Sequence, residues 1–79
     1  MDGITDSQIK WKCRRGLLEL DIIFEKFHQM ILPTMSEEEK RSFFYFLDTP
    51  DQVLLDWIFS NVLAETVRAR NFVLKLKQL

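Results

Sequence analysis

Apolar residues recur along most of this chain at the three- and four-residue spacing of a helix, not at the alternate-residue spacing of a strand. Leu17, Leu20, Phe24, Phe27 and Ile31 form the longest such stripe and predict a helix from about Leu17 to Ile31. It closes ahead of Pro33, whose ring disfavours helical backbone in the residue before it. A short helix is expected in front of it, from about Asp6 to Arg14. Ile9, Trp11 and Cys13 supply its apolar surface, and it stops near Gly16, which reaches positive φ at little cost. Phe43, Phe44 and Leu47 mark a third helix over Glu37 to Leu47, and Val53, Leu54, Trp57 and Ile58 a fourth from Pro50 to about Asn61. Ala69, Phe72, Val73 and Leu76 mark a fifth from about Ala64, with Arg68, Arg70, Lys75 and Lys77 on its polar side.

Three of these helices carry a start signal. A hydroxyl residue is followed three positions later by Glu or Gln at Thr5 and Gln8, at Ser36 and Glu39, and at Thr49 and Gln52. Such a pair lets the hydroxyl accept from an orphan amide of the first turn while the later side chain reaches back. Pro50 behind Thr49 adds the favoured first-turn proline. No stretch alternates with period two over a convincing length, and no Asn-Gly or Asp-Gly turn joins two apolar runs. The chain therefore reads as all-α: a compact bundle of five short helices in one domain over residues 1–79. Leu20, Phe24, Phe27, Phe43, Leu47, Leu54, Trp57 and Phe72 are its expected core.

Composition narrows the possible functions. With 79 residues, 47% hydrophobic and 29% charged, the chain has the make-up of an ordered globule large enough for one core and not for two. Eleven basic against twelve acidic residues leave a net charge of -1, so the molecule as a whole has no attraction to phosphate or to anionic membrane. Charge is regional instead: KWKCRR from Lys10 to Arg15 is basic, and Glu37, Glu38 and Glu39 are acidic. The acidic run sits where a helix dipole favours negative charge, which gives it a structural reading. Cys13 is the only cysteine, so no internal disulfide forms and a reducing cytoplasm is the expected compartment. The opening MDGITDSQ lacks the features of a leader, and no apolar run reaches the roughly 20 residues of a membrane-spanning helix.

Few residues offer catalytic chemistry. Glu25 and His28 have the E-x-x-H spacing of half a carboxylate-bridged di-iron site, but His28 is the only histidine and no metal is assigned. Cys13 has basic neighbours that lower a thiol pKa, yet its place beside Ile9 and Trp11 predicts a buried, structural thiol. There is no glycine-rich phosphate loop, no G-x-S-x-G elbow and no metal-spaced cluster, so the chain is not expected to be an enzyme. Lys10, Lys12, Arg14 and Arg15 around Trp11 offer cations and a stacking ring to nucleic acid, or form an ordinary solvated helix end. The junction Arg14-Arg15-Gly16-Leu17-Leu18-Glu19-Leu20-Asp21 has two readings on its residues alone. It is a helix stop and start with dipole-matched charges, or a surface that presents both signs of charge together.

The second reading gains from a resemblance. Arg15-Gly16-x-x-Glu19 downstream of Trp11 matches the R-G-x-x-E signature of the SdhE family of succinate dehydrogenase flavinylation factors, and Leu20-Asp21 follows the glutamate as it does there. Ser36 to Arg41 and the stretch Leu47 to Trp57 are also similar to that family. The resemblance implies a five-helix domain that binds the flavoprotein subunit of succinate dehydrogenase or fumarate reductase and promotes covalent attachment of FAD to it. It places Arg15, Gly16 and Glu19 at an exposed partner-binding surface, flanked by Arg14, Asp21 and Trp11. FAD is then carried by the client, with no cofactor held stably by this chain, which is expected to be a monomer acting by binding. Some members of the family have been described as antitoxins. A regulatory protein that neutralises a partner is therefore the alternative, with a nucleic-acid-binding module behind it.

Overall fold

The computed structural model describes residues 3–79 and contains, in chain order, α1 (Asp6–Lys12), α2 (Leu18–Met30), a single 3-10 turn (Leu32–Thr34), α3 (Glu37–Phe46), α4 (Asp51–Phe59) and α5 (Val67–Lys77). The described residues include no strand, in line with the helical periodicity. Two of the three expected start signals form as reciprocal capping boxes. Thr5 accepts from the amide of Gln8 while Gln8 accepts from that of Thr5, and Ser36 and Glu39 do the same for α3. Each box satisfies amides that the first helical turn leaves without intrahelical partners.

The third signal fails. Pro50, not Thr49, stands at the cap of α4, and the Thr49 hydroxyl turns back to donate to the carbonyl of Phe46 at 2.7 Å. That bond closes the end of α3 instead of opening α4. Conversely Thr66 caps α5, accepting from the amide of Ala69, although no Glu or Gln follows it at the third position. The fifth helix accordingly begins at Val67 rather than near Ala64. Between α4 and α5, Asn61 takes a left-handed conformation at φ 58°, and the amide of Val62 donates to the carbonyl of Asp56.

All eight expected core residues are buried, within one apolar cluster that also takes in Ile9, Cys13, Leu32, Met35, Phe46, Ile58, Ala64, Val73 and Leu76. α1 packs on α3, and α5 packs on both α2 and α4. Phe43 is the hub: Phe24, Phe27, Phe46 and Phe72 all lie with ring centroids within 6.3 Å of it. Three expectations at the rim of this core are corrected. Trp11 is turned outward and is 77% exposed, Leu17 is the residue before α2 and borders solvent, and Phe44 is only partly buried. In α1 the inward face is set by Ile9 and Cys13, four apart, and Trp11 lies between them on the opposite side.

Candidate partner-binding site

Backbone chemistry builds the junction between α1 and α2. After Cys13 caps α1, the chain turns through Gly16 at φ 84°, a conformation that side-chain-bearing residues rarely adopt, and enters α2 behind Leu17. A carboxylate from α2 then pins the turn from the other side. Asp21 Oδ1 accepts from the amide of Arg15 at 2.7 Å and from that of Gly16 at 3.3 Å. Asp21 thus neutralises two loop amides and, lying in the first turn of α2, also complements that helix's dipole.

The Arg15 side chain points inward. Its Nε donates to Asp51 Oδ1 at 2.7 Å, its Nη1 to the carbonyls of Leu47 at 2.6 Å and Lys12 at 3.1 Å, and its Nη2 to the carbonyl of Thr49 at 2.9 Å. Four of the five guanidinium N–H groups are committed, and the side chain is 14% exposed. The expectation that Arg15 stands exposed with Gly16 and Glu19 is therefore not met. The guanidinium closes the carbonyl ends of α1 and α3, where a cation is favoured, and joins them to the start of α4.

What the junction does expose is a mixed patch. Trp11, Arg14, Gly16, Leu18, Glu19 and Ile22 are all open to solvent, with Leu18 71% and Ile22 50% exposed. Of the six residues singled out from the sequence, Trp11, Arg14, Gly16 and Glu19 are thus accessible, while Arg15 and Asp21 are half-buried and bound to the fold. Leu18 and Ile22 fall outside both the core stripe and the six site candidates expected from the sequence. Their spacing of four on α2, offset by two residues from the Leu20 and Phe24 pair and so on the opposite side of the helix, is the signal that a second, outward stripe exists.

An open groove of about 660 Å³, lined in part by Arg14 and Gly16, runs between the junction and α2. Lys10 and Arg14 line it together with Asp21, Glu25 and His28. Glu25 and His28 do share a helix face, but among the described residues no group of three or more His, Cys, Asp or Glu side chains comes together to hold a metal ion. The Nε2 of His28 is buried and has no hydrogen-bond partner among the described residues. Cys13 also lines the groove but is buried, and burial pushes its thiol up to about 12 against the opposing pull of the Arg15 cation. A thiol held protonated in this way is a poor nucleophile.

The two charge runs resolve into local roles. Lys12 pairs with Asp48 and lies 4.0 Å from the centroid of the Phe44 ring, and Arg15 is clamped as described. Within KWKCRR this leaves Lys10 and Arg14 without a side-chain partner among the described residues, a thin basis for gripping a phosphate backbone. In the acidic run, the Ser36 amide and hydroxyl hold the Glu39 carboxyl below its usual range, with Lys75 adding a weaker pull. No helix among the described residues is long and apolar enough to cross a membrane.

Comparison with known proteins points to one family. The family model described as flavinator of succinate dehydrogenase matches residues 7–79. The chain is 38% identical over 78 residues to the FAD assembly factor SdhE of Coxiella burnetii, covering 99% of this chain and 95% of that protein. It is 33% identical over 70 residues to the FAD assembly factor SdhE of Vibrio vulnificus, covering 89% and 81%. It is also 33% identical over 61 residues to the protein of that name in Shewanella oneidensis, covering 77% and 74%. No solved structure matches the chain significantly.

Proposed function

The chain belongs to the family of succinate dehydrogenase flavinators, and on that premise we propose that it is an FAD assembly factor. It binds the flavoprotein subunit of succinate dehydrogenase, or of the related fumarate reductase, and promotes covalent attachment of FAD to that subunit. The observation that carries this reading is the family match over residues 7–79, which takes in the complete Arg15-Gly16-x-x-Glu19 junction.

Its action is one of binding. The chain's one thiol is buried and held protonated, and its one histidine lies apart from any cluster that would hold a metal among the described residues. Bond formation then belongs to the client, and this chain contributes a differential affinity for the client conformation in which flavin and acceptor side chain are aligned. About 1.4 kcal/mol of such preference shifts the population tenfold. The contact surface is Trp11, Arg14, Gly16 and Glu19 with the apolar Leu18 and Ile22. Arg15 and Asp21 act from behind it by holding the loop. FAD remains with the client throughout, and the buried lone thiol suits a reducing cytoplasm.

The test is to produce the flavoprotein subunit with and without this protein in a host lacking its own assembly factor, and to read flavin fluorescence of the denatured subunit. Covalent flavin should rise several-fold when the protein is present. Equal flavinylation in its absence, under limiting assembly conditions, would overturn the proposal.

A further inference from the structure

Among the described residues the Arg15 side chain has a single carboxylate partner, and that partner lies 36 residues away at the start of α4. Asp51 is the first residue of α4. Its Oδ1 takes the Nε hydrogen at 2.7 Å, while the remaining Arg15 bonds go to main-chain carbonyls of Lys12, Leu47 and Thr49. Carbonyl oxygens at helix ends carry partial charge only, so among the groups bonded to the guanidinium Asp51 supplies the one full countercharge. It also fixes the guanidinium plane, because a bond at Nε orients the fork whose two ends reach α1, α3 and the loop before α4.

Arg15 is joined directly to Gly16, so the anchoring bears on the exposed turn. From the α2 side, Asp21 grips the amides of Arg15 and Gly16; from the α4 side, Asp51 grips the Arg15 side chain. A glycine at φ 84° has no Cβ to hold it there, and the region around it is empty enough that a Cβ would meet nothing within 4 Å. The hydrogen bonds that reach the turn from α2 and α4 both end on carboxylates, Asp21 and Asp51.

The geometry points to Asp51 as a positioning residue for client recognition, acting through Arg15 to hold Gly16 to Glu19 in the conformation that the flavoprotein subunit contacts. This rests on the assembly-factor reading for the identity of the client, and on the hydrogen bonds above for the residue. Asp51 itself need not touch the client, and its effect should be lost whenever its charge or its reach is removed.

The experiment compares Asp51→Ala, Asp51→Asn and Asp51→Glu with the unaltered chain, measuring backbone amide resonances of each protein alone and its affinity for the flavoprotein subunit. In Asp51→Ala the Gly16, Leu18 and Glu19 amides should shift or broaden while those of Phe27 and Phe43 stay in place, and the dissociation constant should rise about tenfold. Asp51→Asn, which keeps an acceptor and loses the charge, should fall between, and Asp51→Glu should restore much of the affinity. Should Asp51→Ala bind as tightly as the unaltered chain, or should its resonance changes spread through the core as in general loss of packing, the positioning role is refuted. A different result separates the two claims: if the unaltered chain does not bind the flavoprotein subunit at all, the assembly-factor reading and the recognition role built on it fail together, whatever the amide shifts.

Discussion

The rings of Phe27 and Phe43 stack with centroids 4.4 Å apart and 21° between their planes, joining the middle of α2 to the middle of α3. Phe43 is fully buried and has three further aromatic neighbours in Phe24, Phe46 and Phe72, so its removal opens a cavity bordered by large rings that cannot collapse together. Phe43→Ala should destabilise the fold by about 3–5 kcal/mol. Urea unfolding provides the check: a midpoint close to that of the unaltered chain would show that the aromatic hub is not the centre of the packing.

Glu19 and Arg15 belong to one sequence signature but should differ in what they do for stability. Glu19 is exposed, so Glu19→Ala should change stability by no more than about 0.5 kcal/mol while sharply lowering covalent flavin in the client. Arg15→Ala strips four hydrogen bonds from three helix ends and leaves Asp51 without its partner, so it should destabilise by about 2–3 kcal/mol and lower flavinylation as well. Melting curves of the two variants decide it. Equal stability of Arg15→Ala and the unaltered chain would contradict the clamp.

That pair also shows where sequence reading reaches its end. Helical spacing was enough to place Phe24, Phe27, Phe43 and Leu54 in the core, because each lies on a stripe that its own helix must bury. The fate of Arg15 depends on residues 32 to 36 positions away, brought within reach only when α3 and α4 fold back on the junction. Periodicity within one helix carries no information about that. Trp11 has two expected places, in the apolar surface of α1 and beside the partner surface, and its exposure fits only the second: in a helix of seven residues a single large ring is a weak guide to the inward face, and Ile9 with Cys13 outweighs it. Thr49 and Thr66 show the same limit at caps, since a hydroxyl has several backbone partners in range and the neighbouring turn decides between them.

Gly16 is a purely conformational requirement. Beyond its two chain neighbours, no heavy atom among the described residues lies within 4 Å of the place a Cβ would take, so steric collision is not the obstacle to substitution; the φ of 84° is. Gly16→Ala should cost about 1–2 kcal/mol through backbone strain alone. Gly16→Asn, which tolerates left-handed backbone better, should lose less stability and retain more flavinylation. An alanine variant as active and as stable as the unaltered chain would mean that the turn does not need its left-handed geometry.

Cys13 gives the fold a pH dependence on the alkaline side. Burial raises its pKa from 9.0 to about 12, so the folded state prefers the protonated thiol more strongly than the unfolded state does. The sign follows from proton counts. Below 9.0 both states hold the proton and the thiol's contribution is fully present. Between 9.0 and about 12 the unfolded chain has released the proton while the folded one retains it, so stability falls as pH rises. The pH dependence is isolated by comparison with a Cys13→Ala variant, which keeps every other ionisable group and lacks the thiol. At neutral pH the unaltered chain should be the more stable of the two, because the smaller side chain leaves buried space unfilled. That lead should hold up to pH 9.0 and then shrink steadily above it, as measured by urea unfolding of both proteins at a series of pH values on either side. A lead that stays constant through the alkaline range would show that the thiol ionises as readily in the fold as out of it. That would return Cys13 to the list of groups reactive enough to take part in chemistry at the junction.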